Sequence, residues 1–90
     1  MTALAPRIHR YEIPVDDQPH TLHLTGPVLH VAARTPHAVE LWTLHTPTTS
    51  ARPCTFRVYG TGHPIDPDHT YRGTALAPHG LVWHLLEHTP

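Results

Sequence analysis

The chain contains no lysine and no asparagine, a single cysteine and a single serine. With Cys54 alone, no intramolecular disulfide can form, and a reducing compartment fits that usage. Six arginines stand against seven acidic residues and the formal net charge is −1. The basic excess with which nucleic-acid binders neutralise phosphates is therefore missing, and Arg7 with Arg10 reads as a solvated strand face. No apolar run approaches the roughly 18 residues a membrane helix needs. The opening Met1-Thr2-Ala3-Leu4-Ala5-Pro6 lacks the charged start and long apolar stretch of a secretory signal. These absences point to a cytoplasmic protein whose partners include neither nucleic acid nor membrane.

Helical periodicity is also missing. Eleven prolines punctuate 90 residues, and no interval between them carries a period-3.6 apolar stripe long enough for a stable helix. The intervals hold instead short segments rich in β-branched and aromatic residues. The expected strands are Arg7 to Ile13, His20 to Leu24, Val28 to Ala33, Ala38 to His45, Pro53 to Gly60, Tyr71 to Leu76 and Leu81 to Glu87. Period-two alternation places Tyr11, Ile13 and Val15 on one face, and Leu29, Val31 and Ala33 on another. Val39 and Leu41 oppose Trp42 and Leu44, while Phe56 and Val58 oppose Thr55, Arg57 and Tyr59. Asp16-Asp17-Gln18-Pro19 and Ala77-Pro78-His79-Gly80 read as turns. About seven short strands at this spacing predict one all-β domain over 1–90, a compact antiparallel sandwich or partly open barrel. A chain of this size buries only roughly 60–65% of its unfolded surface, which leaves little interior for a catalytic cleft.

Eleven histidines and thirteen threonines accompany the prolines. Lysine and asparagine have A-rich codons, whereas histidine, proline, arginine and alanine have GC-rich ones. A high-GC genome, such as that of an actinobacterium or its phages, accounts for this usage and supplies a bland source for most histidines. If the histidines are exposed they titrate near pH 6.5, so association is expected to respond to pH as a side effect of composition.

Several groups are candidates for chemistry. Gly60-Thr61-Gly62-His63-Pro64-Ile65 has paired glycines that can let a backbone approach a phosphate. A nucleotide fingerprint needs a following helix, which Pro64 and Pro67 forbid, so a strand exit with Gly60 or Gly62 at positive φ is preferred. His63, Asp66, Asp68 and His69 share one loop and have metal-ligand chemistry. Asp-Pro-Asp is also ordinary turn chemistry, and histidines this numerous fall near acids by chance. His20 and His23 differ by three positions and point to opposite faces. His84 and His88 share a face, and His84 is expected to be a buried neutral histidine bonded to backbone. Cys54 reads as a small core residue with no helix end to activate it, and Ser50 as a loop tip. Trp42 is expected to anchor the core. Trp83 and His84 face opposite ways, so Trp83 serves either the core or a contact surface.

Tyr11-Glu12-Ile13, Gly26-Pro27-Val28-Leu29-His30-Val31 and Leu41-Trp42 are followed by Phe56-Arg57-Val58-Tyr59-Gly60-Thr61-Gly62-His63-Pro64-Ile65. Tyr71-Arg72-Gly73-Thr74 and Val82-Trp83-His84-Leu85-Leu86-Glu87 complete the order. This arrangement resembles a small domain of unknown function found in bacteriophages, prophages and bacteria, and the resemblance spans nearly the whole chain. It implies phage association, which adds the virion to the expected locations, and it brings no established activity or cofactor. The expected function is therefore non-enzymatic: a minor structural or accessory component acting through contacts with itself or with other phage or host proteins. Gly60, Thr61, Gly62, His63, Trp83 and His84 are the expected contact or motif residues. The alternative is a small metal- or ligand-binding module centred on the Gly60–His69 loop.

Overall fold

Proline and glycine delimit the strands, because proline lacks the N–H a ladder needs and glycine permits the turns between. The computed structural model describes residues 5–90. Seven strands follow in order: β1 (Arg7–Pro14), β2 (His20–Leu24), β3 (Val28–Thr35), β4 (Ala38–His45), β5 (Arg52–Gly60), β6 (His69–Leu76) and β7 (Val82–His88). Each lies within two residues of its expected position. Among the described residues there is no α-helix, and the β6–β7 connection is a three-residue 3-10 turn, Pro78–Gly80. His79 and Gly80 take positive φ there.

The strands form two antiparallel sheets, β1-β4-β3 and β2-β5-β7-β6, packed as a sandwich and not closed into a barrel. β1 pairs with β4 in unbroken register from Arg7 opposite His45 to Pro14 opposite Ala38. β3 pairs with the other side of β4 but shifts register between Val28 and His30 and again between Ala32 and Thr35. In the second sheet β7 lies between β5 and β6, and β6 shifts register between Tyr71 and Gly73.

Ile13, Val31, Val39 and Leu41 from one sheet meet Leu24, Cys54, Phe56, Val58, Ala75 and Leu85 from the other. Tyr11, Val15, Leu22, Val28, Ala33 and Trp83 pack around them. The sheets approach closely where β3 faces β6. A Cβ on Gly73 would lie 2.6 Å from Val31 Cγ2, so only glycine fits that position without displacement.

Two side-chain placements differ from expectation. Leu29 does not join Val31 and Ala33 in the core; the β3 bulge turns it outward, 49% exposed. Trp42 is not a core anchor. It shares the solvent face of β4 with Glu40, opposite Arg10 on β1 and His30 on β3, with the His30 ring 5.7 Å away. Period two permits either face to be buried, and the hydrophobic face of β4 is the one carrying Val39 and Leu41.

Candidate functional site

Polar side chains collect on the outer faces of both sheets. On the four-stranded sheet, β5 and β7 project Arg57, Tyr59, His84, Leu86 and His88 away from the core, and the Gly60–His69 connection lies beside them. The connection leaves β5 through a turn in which the His63 amide donates to the Gly60 carbonyl at 3.2 Å. Gly62 takes the positive φ, at +87°. The His63 ring packs over Gly60, with Cε1 3.0 Å from where a Cβ would stand.

The four loop ligands proposed from sequence separate into two pairs. His63 and Asp66 line a cavity of about 220 Å³ with Asp17, Arg57, Tyr59 and Pro64. Arg57 Nη2 donates to Asp17 Oδ1 at 3.0 Å, and its guanidinium carbon stands 5.4 Å from the Tyr59 ring centre. Tyr59 is only 5% exposed although it faces outward. Its hydroxyl and the Arg57 Nε are both buried without a hydrogen-bond partner. Asp68 and His69 belong elsewhere: Asp68 Oδ2 is 2.7 Å from His88 Nε2 and its Oδ1 is 3.1 Å from His69 Nδ1. The His88 hydrogen bond, opposed by desolvation, holds the Asp68 carboxyl below the usual range. The His69 and His88 rings are 5.3 Å apart, and Tyr59 meets His69 edge-on at 6.0 Å. Among the described residues no three His, Cys, Asp or Glu side chains converge as a metal set.

His84 is not bonded to backbone. Its Nε2 is 2.8 Å from Thr61 Oγ1 and its Nδ1 is 3.0 Å from Thr74 Oγ1. Thr74 Oγ1 is in turn 2.6 Å from the Tyr71 hydroxyl. A hydroxyl both gives and accepts, so the threonines satisfy the imidazole in either neutral tautomer and fix its plane. Trp83, on the opposite face, packs against the core and lines a second hollow with Val15, Asp17, Val58, Gly60 and His63. Thr61, Gly62 and His63 thus form a turn braced on β7 by His84. Cys54 is a buried core residue, and burial pushes its thiol up from the ordinary value.

The three-stranded sheet carries a cluster that sequence reasoning did not single out. Arg34 grips Glu40 with both arms of its fork, Nε to Oε1 and Nη2 to Oε2, each at 2.7 Å. Arg10 Nη1 adds a bond to Glu40 Oε2 at 2.8 Å and one to Glu12 Oε1 at 2.9 Å. The Glu40 side chain is only 4% exposed. The Arg34 hydrogen bonds, helped by Arg10 and opposed by desolvation, hold its carboxyl below the usual range. The available signal was a lone acid between Val39 and Leu41 in a strand, which needs a cation once buried. On the same face Trp42 and Leu44 lie beside Ile8, which is 63% exposed.

The fold and these surfaces define a small two-sheet β-sandwich with polar and aromatic outer faces. The family described as a domain of unknown function (DUF7352) matches residues 5–90, and the chain belongs to that family. No curated protein matches the chain, and no solved structure does.

Proposed function

We propose that this domain is a non-enzymatic component of the phage or prophage type that acts through protein–protein contact, as a minor structural or accessory factor. The observation that carries this reading is the outer face of β1-β4-β3. There half-buried Trp42 and Leu44 and the 63%-exposed Ile8 stand beside the Arg10–Glu40–Arg34 cluster. Tryptophan and arginine are the residues most enriched at the energetic centres of interfaces. The amino-acid usage, rich in residues with GC-rich codons, and the resemblance noted above support the phage or prophage setting. The test is capture by the immobilised domain from host lysate, alongside light scattering. Trp42→Ala and Ile8→Glu are expected to lose what the native domain binds while melting cooperatively. A strictly monomeric native domain that retains no protein would sink the proposal.

The second reading is a small-ligand module at the Gly60–His69 loop. What favours it is the pair of buried, unpartnered groups, Arg57 Nε and Tyr59 Oη, in the wall of the cavity lined by Asp17, His63 and Asp66. Buried polar groups are almost always satisfied, so a donor and a hydroxyl in this wall suit a small polar molecule. Zinc and small polar compounds added to tag-free protein are expected to raise its melting temperature, and His63→Ala with Asp66→Ala to abolish the shift. Unchanged melting across such a panel disposes of this reading.

A further inference from the structure

The four sheet edges differ in how well they are protected. β2 has five residues between Pro19 and Pro27. β3 shifts register twice, and β6 shifts once and packs against β3 at Gly73. Shortness, prolines and bulges are the ordinary means by which edges avoid pairing with another chain. β1 has none of these before Pro14, and no described strand pairs with its outer side.

The phase of the β1–β4 ladder shows which backbone groups that free side presents. The Val15 amide donates to the His37 carbonyl at 2.8 Å, one step beyond the last β1–β4 pair. Antiparallel ladders alternate hydrogen-bonded with non-hydrogen-bonded pairs, so the odd-numbered residues of β1 bond to β4. The N–H and C=O groups of Ile8, Arg10 and Glu12 then point outward, with the C=O of Pro14. All four residues are exposed, whereas Ile13 is fully buried. Pro14 sits in the phase where its missing N–H breaks no bond to β4.

We propose that β1 pairs antiparallel with β1 of a second copy of this chain, around a two-fold axis at Tyr11. The inference rests on the contact reading above and names its partner. Charge selects the register. With Tyr11 opposite Tyr11 of the partner, each Arg10 faces the partner's Glu12, and their N–H and C=O groups satisfy one another. Ile8 then faces the partner's Pro14. A two-residue shift sets Arg10 against Arg10 or Glu12 against Glu12, and a one-residue shift puts Tyr11 across from Arg10 or Glu12, which belong to the opposite face. Like charges directly opposite destabilise a strand pair, and a one-residue mismatch of faces exposes the core side. In the Tyr11-centred register the charges alternate around a square, and the interface is isologous. The two three-stranded sheets become one continuous sheet whose outer face carries both Trp42 side chains.

The test is light scattering and sedimentation of the full chain over a concentration series. The native chain is expected to dimerise. Glu12→Arg is expected to weaken the dimer at least tenfold, while its melting is retained because the new guanidinium lies opposite Glu40 within its own chain. Mild oxidation of Tyr11→Cys is expected to give a disulfide-linked dimer, since Cα atoms in a non-hydrogen-bonded pair stand about 4.5 Å apart, within disulfide reach. Arg10→Cys is expected not to crosslink. A native chain that stays monomeric at every concentration overturns the inference, as does a dimer indifferent to Glu12→Arg or one crosslinked through Arg10→Cys. If a monomer still captures a protein and loses it on Trp42→Ala, the edge pairing fails and the contact reading stands. If the chain dimerises through β1 but Trp42→Ala and Ile8→Glu leave every captured protein in place, the outer-face reading fails and the pairing stands.

Discussion

Glu40 puts a carboxylate where the middle of a strand would otherwise be apolar, between guanidinium groups that come from β1 and β3. Such a triad satisfies all its members only while the carboxyl is ionised. Its folded pKa lies below the usual value, as do those of Asp16, bonded to His20, and Asp68, bonded to His88. A depressed folded value means that the stabilisation is fully present above the unfolded carboxyl pKa, about 4. It is lost as the pH falls through the folded values. The domain is therefore expected to lose stability on acidification below about pH 4. Glu40→Gln is expected to lower the melting temperature by several degrees at pH 7 and by less at pH 3, where the carboxyl of the unfolded chain is protonated and the native stabilisation is already reduced. Circular-dichroism melts at the two pH values check this, and an equal loss at both would contradict it.

The strands were legible because their determinants are local. Prolines at 6, 14, 19, 27 and 36 bracket β1 to β3, and alternation identified which of Phe56, Arg57, Val58 and Tyr59 point inward. What could not be read depends on partners far along the chain. Leu29 follows the same alternation as Val31 and leaves the core only because β3 bulges against β4. Trp42 alternates as cleanly as Leu41, and Glu40 on its face is the one local sign of which side the second sheet leaves open. The candidate site was half legible. The loop residues were identified, but their division into a His63–Asp66 pair and an Asp68–His69 pair required His88, and the triad around Glu40 required three strands. The bulge has a direct test: Leu29→Ser is expected to change stability by less than about 0.5 kcal/mol in denaturant unfolding, as exposed substitutions do. Gly73→Ala is expected to cost about 1–3 kcal/mol by overpacking against Val31. The Gly73→Ala, Val31→Ala double variant is expected to be more stable than the summed losses imply, because the second change makes room for the first.

Considered whole, the molecule relies on a thin layer of side chains between its sheets. Phe56, fully buried, is the largest of them. Truncating it to alanine is expected to remove about 3–5 kcal/mol, much of the 5–15 kcal/mol that a typical domain holds in total. Denaturant titration or loss of cooperative melting would register it, and a loss under about 1 kcal/mol would show that the core lies elsewhere. The same body has little volume that the core does not already use, which is why its surfaces rather than its interior carry the functional reading.

The position of β7 has a consequence for how the protein is born. The last of the described strands is an interior strand of its sheet, hydrogen-bonded to β5 on one side and β6 on the other. While the ribosome still holds residues 82–88, β5 and β6 have no shared neighbour, and Phe56 and Val58 lack Leu85 beside them. β2 can pair with β5 before this, but β6 is expected to join the sheet only once residues up to His88 have left the ribosome. An arrest or a nonsense codon a few residues short of that point would leave an open, adhesive half-sandwich for chaperones and proteases to remove.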